Sequence, residues 1–155
     1  MCFLLKPHHA NFNKRLIKSP KLYFYDTGLA CALLYLEEAR QLETHFARGS
    51  LFENMIVLEL LKHRLHSARQ PNLYFWRDRH GHEVDCLLER ADSLTPVEIK
   101  AGKTFNFSYF DGLGYWNKLS GNGVENTYVV YAGDESRKTS AGKLIAWKDV
   151  EGYPE

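Results

Sequence analysis

Two short stretches carry the residues best suited to chemistry. In Pro96-Val97-Glu98-Ile99-Lys100, a strand period of two sets Glu98 and Lys100 on one face and Val97 and Ile99 on the other. Alternation sends the apolar pair inward and leaves an acid beside a base. Upstream, Val84-Asp85-Cys86 sets Asp85 among apolar neighbours. If the two strands pair, Asp85 and Glu98 converge on one point. Two carboxylates brought together repel, and each raises the other's pKa unless a cation lies between them. Mg²⁺ suits such a pair, because it takes oxygen ligands, needs few from the protein and keeps several waters. A water on that ion becomes a nucleophile, and the ion also neutralises charge on an attacked phosphate. Lys100 would orient or help deprotonate the water, or stabilise charge developing on the phosphoryl group. An acid two residues from a lysine on a strand is otherwise a common solvated face. The pair therefore gains meaning only from Asp85 and the elements around it.

Other residues enter with competing readings. Ser50-Leu51-Phe52-Glu53 has the form of a capping box, so Glu53 either caps a helix or joins the metal site, and both roles can coexist through different oxygens. Glu83 lies on the face opposite Val84, flanks Asp85 in sequence only, and is a secondary candidate for the site. His80 and His82 surround Gly81 near Cys86, but their spacing matches no closed four-ligand zinc site, and they read as turn histidines. Tyr74, Phe75 and Trp76 read as core in preference to base-stacking platforms. Lys14, Arg15, Lys18 and Lys21 are interleaved with aromatics. They contact a phosphate backbone or form a solvated hairpin, and both readings stand.

The elements that must position these residues are legible in outline. Asp26 or Thr27 caps a helix running to Leu36. Ser50 opens a second helix, Asn54 to Leu65, that is apolar on nearly every face and so belongs in the core. Strands follow near 73–78, 83–89 and 96–100, joined by short links that favour an antiparallel meander. Ser108 to Leu119 reads as a helix ended near Gly121, Thr127 to Tyr131 as a strand, and Leu144 to Trp147 as a last short one. The fold class is α/β: a central mixed sheet flanked by helices in the order helix, three strands, helix, strand. Phe3-Leu4-Leu5 and Leu22 to Tyr25 are additional strand candidates. Two strands alone cannot bury a face, so this N-terminal piece must lean on the rest or on a missing partner.

Bulk properties exclude several classes. The chain has 155 residues, 45% hydrophobic and 14% aromatic, enough for one domain with a real core. Its formal charge of +1 with 25% charged residues is neither a polycation nor a disordered composition, so any nucleic-acid binding must use a local basic surface. Three dispersed cysteines, Cys2, Cys31 and Cys86, argue against a disulfide framework. No apolar run approaches the roughly 20 residues needed to span a bilayer. The composition reads as soluble and cytoplasmic, with no membrane partner.

Asp85 followed by Glu98-Ile99-Lys100, within that element order, resembles the PD-(D/E)XK nuclease superfamily, which implies a restriction-endonuclease-like fold. The resemblance implies Asp85, Glu98 and Lys100 as catalytic residues, with Glu53 joining Asp85 and Glu98 as ligands of a possible Mg²⁺. No Pro-Asp pair occurs, because Asp85 follows Val84. A closer likeness covers nearly the whole chain. Lys18 to Leu29, Gly49-Ser50-Leu51-Phe52-Glu53-Asn54, Phe75-Trp76-Arg77, Glu83-Val84-Asp85 and Val97 to Gly102 are similar to a C-terminal domain of unknown function in certain prokaryotic AAA-type ATPases. There a P-loop ATPase comes first, then a winged-helix segment, then the nuclease-like domain. The resemblance implies that residues 1–26 are a remnant of the winged-helix-like segment and 27–155 the nuclease-like domain. It implies a Mg²⁺-dependent nuclease acting on nucleic acid, or else an inactive module that binds nucleic acid or a protein partner such as the P-loop ATPase. No Gly-x-x-x-x-Gly-Lys followed by Ser or Thr occurs in the chain. A detached C-terminal part without ATPase activity is therefore expected.

Overall fold

A computed structural model describes residues 1–9, 18–91 and 93–153. Eight strands form one mixed sheet: β1 (Cys2–Pro7), β2 (Lys21–Phe24), β3 (Leu73–Arg77), β4 (Glu83–Arg90), β5 (Ser93–Lys100), β6 (Tyr128–Tyr131), β7 (Arg137–Thr139) and β8 (Gly142–Ala146), in the order β2-β1-β3-β4-β5-β6-β8-β7. The helices are α1 (Thr27–Leu33), α2 (Ala39–Leu42), α3 (Arg48–His66) and α4 (Asp111–Ser120), with short 3₁₀ turns at Phe107–Phe110, Val124–Asn126 and Trp147–Gly152. No described helix is long and apolar enough to cross a membrane.

The expected meander is present. β3 and β4 pair antiparallel, as do β4 and β5, and β6 then joins β5 in parallel after the α4 crossover. Strand alternation divides the core between two faces. Phe75, Cys86, Leu88, Val97, Ile99 and Val130 pack with Ile56, Val57 and Leu60 of α3. Trp76, Leu87, Val129 and Leu144 pack with Leu113 and Trp116 of α4 on the other side. Ile56, Val57 and Leu60 are at most 1% exposed, and each contributes about 1.5–3 kcal/mol by burial. Met55 is only partly buried against the same cluster. Phe75 and Trp76 are core, as read from sequence.

The N-terminal strands are part of this sheet. β1 pairs antiparallel with β2 and parallel with β3, so β2 becomes an edge strand. Its free edge is met by Asn54 of α3, a buried residue whose amide accepts from Phe24 N at 2.7 Å and donates to Phe24 O at 2.8 Å. A side-chain amide thus replaces a missing strand neighbour.

One expectation fails at α3. Ser50 is not the N-cap; the helix starts at Arg48 behind Ala47, and no side chain caps it. Ala47 and Leu51 pack with Ala30 of α1, so tertiary contact draws the helix start back past the capping signal. Asp26, by contrast, does cap α1, accepting from Gly28 N and Leu29 N. Gly121 closes α4 at φ 73°, a left-handed position that glycine adopts without cost.

Candidate functional site

The site begins with an irregularity in β4. Tyr74 pairs with Leu87, and Trp76 with Val84, so Asp85 and Cys86 together oppose Phe75. This is a β-bulge, which bends a strand and re-aims a side chain. On the other edge of β4, the regular pairing with β5 stops at Cys86 opposite Val97. Where the next pair would stand, the Asp85 carboxylate accepts from the Ile99 backbone N–H at 2.8 Å. Asp85 therefore occupies the place where β4 and β5 part, level with Glu98.

Alternation in β5 turns Val97 and Ile99 into the α3-side core and Glu98 and Lys100 to the opposite face. Lys100 Nζ donates to Glu98 Oε1 at 2.6 Å. The other oxygen, Glu98 Oε2, is buried and has no hydrogen-bond partner among the described residues.

Glu53, in the second turn of α3, faces β2. Its Oε1 accepts from Tyr23 Oη at 2.5 Å and from Lys21 Nζ at 2.9 Å. With Ser50 inside the helix, the capping reading of Glu53 is lost and the carboxylate serves this contact. Lys21 Nζ also forms a tight ion pair with Glu83, which in turn takes Arg77 Nε at 2.7 Å. Lys21, read from sequence as a phosphate-backbone contact, thus turns its ammonium onto two acids, with its side chain 19% exposed. Lys18 is exposed, while Lys14 and Arg15 lie outside the described residues.

Sequence reasoning missed Tyr23 and gave Glu83 only a secondary place. Glu83 was legible, because a period of two sets residues 83 and 85 on one face of a strand. Tyr23 was not, because its partner is 30 residues away on another element.

The electrostatics are those of crowded acids. Burial, then Glu98 and Glu53, hold the Asp85 carboxyl well above the ordinary carboxylate range, against the Ile99 hydrogen bond and Lys21. Burial also raises Glu98, and Glu83 and Glu53 add to it, while Lys100 opposes. For Lys100 and Lys21 burial acts to lower the pKa, but the adjoining carboxylates outweigh it and both ammonium groups are held above their ordinary value. Burial, with Glu53 beside it, pushes the Tyr23 phenol far up, so it stays a proton donor. A cleft of about 530 Å³ opens beside this cluster, lined by Lys21, Tyr23, Glu53 and Arg77 with Leu33 and Leu34.

Among the described residues no three His, Cys, Asp or Glu side chains are grouped so as to hold a metal ion. The histidines of the β3–β4 turn are engaged elsewhere. His82 hydrogen-bonds to buried Asp78 at 3.0 Å and stacks on Tyr115 at 3.8 Å between ring centroids. Asp78 also accepts from the backbone N–H groups of His80 and His82, as a turn-closing aspartate does.

A mixed α/β sheet with acids and a lysine where two central strands part is the class that fold and site define. Residues 48–150 match a domain of unknown function, DUF4143, and the chain belongs to that family. Residues 1–40 match a second domain of unknown function, DUF8612. Over 105 residues the chain is 33% identical to uncharacterized protein Mb2031c of Mycobacterium bovis and, equally, to uncharacterized protein Rv2008c of Mycobacterium tuberculosis. Each alignment covers 67% of this chain and 23% of the relative, so the chain spans about a quarter of the length of the curated relatives it matches. No solved structure matches.

Proposed function

We propose that this chain is a Mg²⁺-dependent phosphodiesterase module of the PD-(D/E)XK type, with a restriction-endonuclease-like core, acting on nucleic acid in the cytoplasm beside a P-loop ATPase module. The observation that carries it is the position of Asp85 where β4 and β5 part, level with Glu98 and its partner Lys100. Mg²⁺ fits a site of few protein ligands, because it takes one or two carboxylates and otherwise keeps water and substrate phosphate. Two features support the fit. Glu98 Oε2 is a buried oxygen in want of a partner, and Asp85 is opposed by two other acids. Asp85 and Glu98 would be the ligands. Glu53 is already bound to Lys21 and Tyr23, which leaves it at most an outer role.

When bound, Mg²⁺ would supply an activated water and neutralise charge on the phosphate. The chain's own groups do the rest. Glu98 holds the Lys100 ammonium at the strand end, where it donates to a phosphoryl oxygen as charge develops there. Arg77, 39% exposed at the cleft wall, is available to a neighbouring phosphate.

A second reading is favoured by a separate observation. Lys21 compensates Glu53 and Glu83 without any ion, an arrangement that suits a non-catalytic module binding nucleic acid or a protein. Incubation with single- and double-stranded DNA and RNA, with Mg²⁺, Mn²⁺ or chelator, separates the two. The phosphodiesterase reading expects metal-dependent cleavage lost in Lys100→Ala. Binding of the same substrates with no cleavage, by the chain joined to its ATPase module, supports the second.

A further inference from the structure

Four carboxylates meet three cations in this cluster, and one of those cations comes from an unexpected place. Glu53, Glu83, Asp85 and Glu98 all lie within the segment matched by one family, residues 48–150. Lys21 lies in the segment matched by the other, residues 1–40, as the first residue of the edge strand β2. Its stem passes over the Phe75 ring, with Nζ 5.4 Å from the centroid, and its ammonium ends between Glu53 and Glu83. Tyr23, two residues on and hence on the same face of β2, donates to the same oxygen of Glu53. Asn54 fixes Phe24 from the next position of α3. The strand is thus pinned at Tyr23 and Phe24, which holds Lys21 within reach of the acids.

A lysine ammonium is a point charge on a flexible stem, strongly hydrated and easily withdrawn, unlike the fixed fork of an arginine. Arg77 holds the second oxygen of Glu83, Oε2, so Glu83 keeps a cationic partner if Lys21 leaves, although its buried Oε1 then loses its own. Glu53 likewise keeps the Tyr23 hydroxyl. Both partners of Lys21 have a second donor in place, so Lys21 is the cation of the cluster that an incoming ion can replace. The cleft that Lys21 lines gives the withdrawn side chain somewhere to go.

We propose that Lys21 is a tethered resident cation of the acid cluster, which a divalent ion displaces into the cleft on binding at Asp85 and Glu98. The proposal rests on the reading of Asp85 and Glu98 as the divalent site. It assigns β2 a role in loading: the strand supplies the charge that keeps the acids compensated until the ion arrives, and like-charge repulsion then expels it.

The test uses the full chain and Mn²⁺ alone as the probe. Lysines are acetylated with a water-soluble ester at matched ionic strength, with and without saturating Mn²⁺, and each site is followed by peptide mass spectrometry. Lys62, exposed on α3, is the reference. Lys21 should react more slowly than Lys62 without the ion and gain about tenfold when its ion pairs are released, with Lys62 unchanged. Calorimetry of Lys21→Met should show Mn²⁺ bound about tenfold more tightly, as removal of one like charge from a half-buried site implies. If Lys21→Met does not fold, the acetylation of the wild-type chain decides alone. Mn²⁺ binding to the wild type with unchanged Lys21 reactivity overturns the displacement and leaves the divalent site standing. Absence of Mn²⁺ binding to either protein overturns both.

Discussion

Replacing Asp85 by asparagine should stabilise the metal-free protein at neutral pH, an unusual outcome for a half-buried polar residue. Two contributions of opposite sign decide it. The carboxylate accepts a charge-assisted hydrogen bond from Ile99 N–H at 2.8 Å; an amide oxygen accepts the same bond in neutral form, at a loss of about 1 kcal/mol. Against this, the substitution removes a charge held from water and opposed by Glu98 and Glu53. An uncompensated charge of that kind costs several kcal/mol, though partial protonation and Lys21 relieve some of it. The net gain is about 1–2 kcal/mol, or a melting temperature higher by about 4 °C for a chain of this size. The sign carries a pH signature. Because the folded-state pKa is raised, native Asp85 keeps its proton where the unfolded chain has released it. Its contribution to stability is therefore full below the ordinary carboxylate range and declines as pH rises through the folded value. The advantage of Asp85→Asn should be absent at low pH, grow over that interval and then level off. Thermal melts by circular dichroism from pH 4 to 9 in chelator measure it. A variant that melts below wild type at neutral pH would refute the crowded-acid description.

Three further outcomes follow from the same geometry. Lys100→Ala should leave Mn²⁺ affinity within a few-fold while lowering any metal-dependent cleavage about 10²-fold or more, since the ammonium acts on the phosphate and ligates nothing; single-turnover kinetics beside calorimetry measures both. Tyr23→Phe leaves Glu53 with one donor fewer and should cost about 1 kcal/mol in urea unfolding. Gly142→Ala should be severely destabilising, by about 2 kcal/mol or more, because φ is 145° and the new methyl would stand 2.7 Å from Thr127 O and 2.8 Å from Phe110; denaturant melts report it directly.

What could be read from sequence followed the range of the interactions involved. The β3–β5 meander was visible because its strands are β-prone runs joined by short links, and β6 because Tyr128 to Tyr131 is a β-prone run of its own. The pairing of Lys100 with Glu98 was visible for the same reason, as two residues on one strand. The parallel pairing of β1 with β3 joins residues nearly 70 positions apart, and local pattern holds no trace of it. β7, Arg137–Thr139, is three residues long and carries no apolar alternation to reveal it. The bulge that aims Asp85 is a mismatch between two strands, so neither strand alone encodes it. Ser50 shows the converse: a well-formed local signal was overruled by the packing of Ala47 and Leu51 on α1. Lys21 was legible as a basic residue, but its partners Glu53 and Glu83 lie 32 and 62 positions on, and only the fold could turn it from the solvent to the acids.

Titration of Mn²⁺ into the purified chain, followed by isothermal calorimetry in parallel with Asp85→Asn, bears most directly on the divalent site. Asp85 and Glu98 acting as ligands predict saturable binding of one ion by the wild type, abolished in the variant because a neutral amide no longer holds a hard cation. Binding that is absent from the wild type, or that survives unchanged in Asp85→Asn, would contradict it.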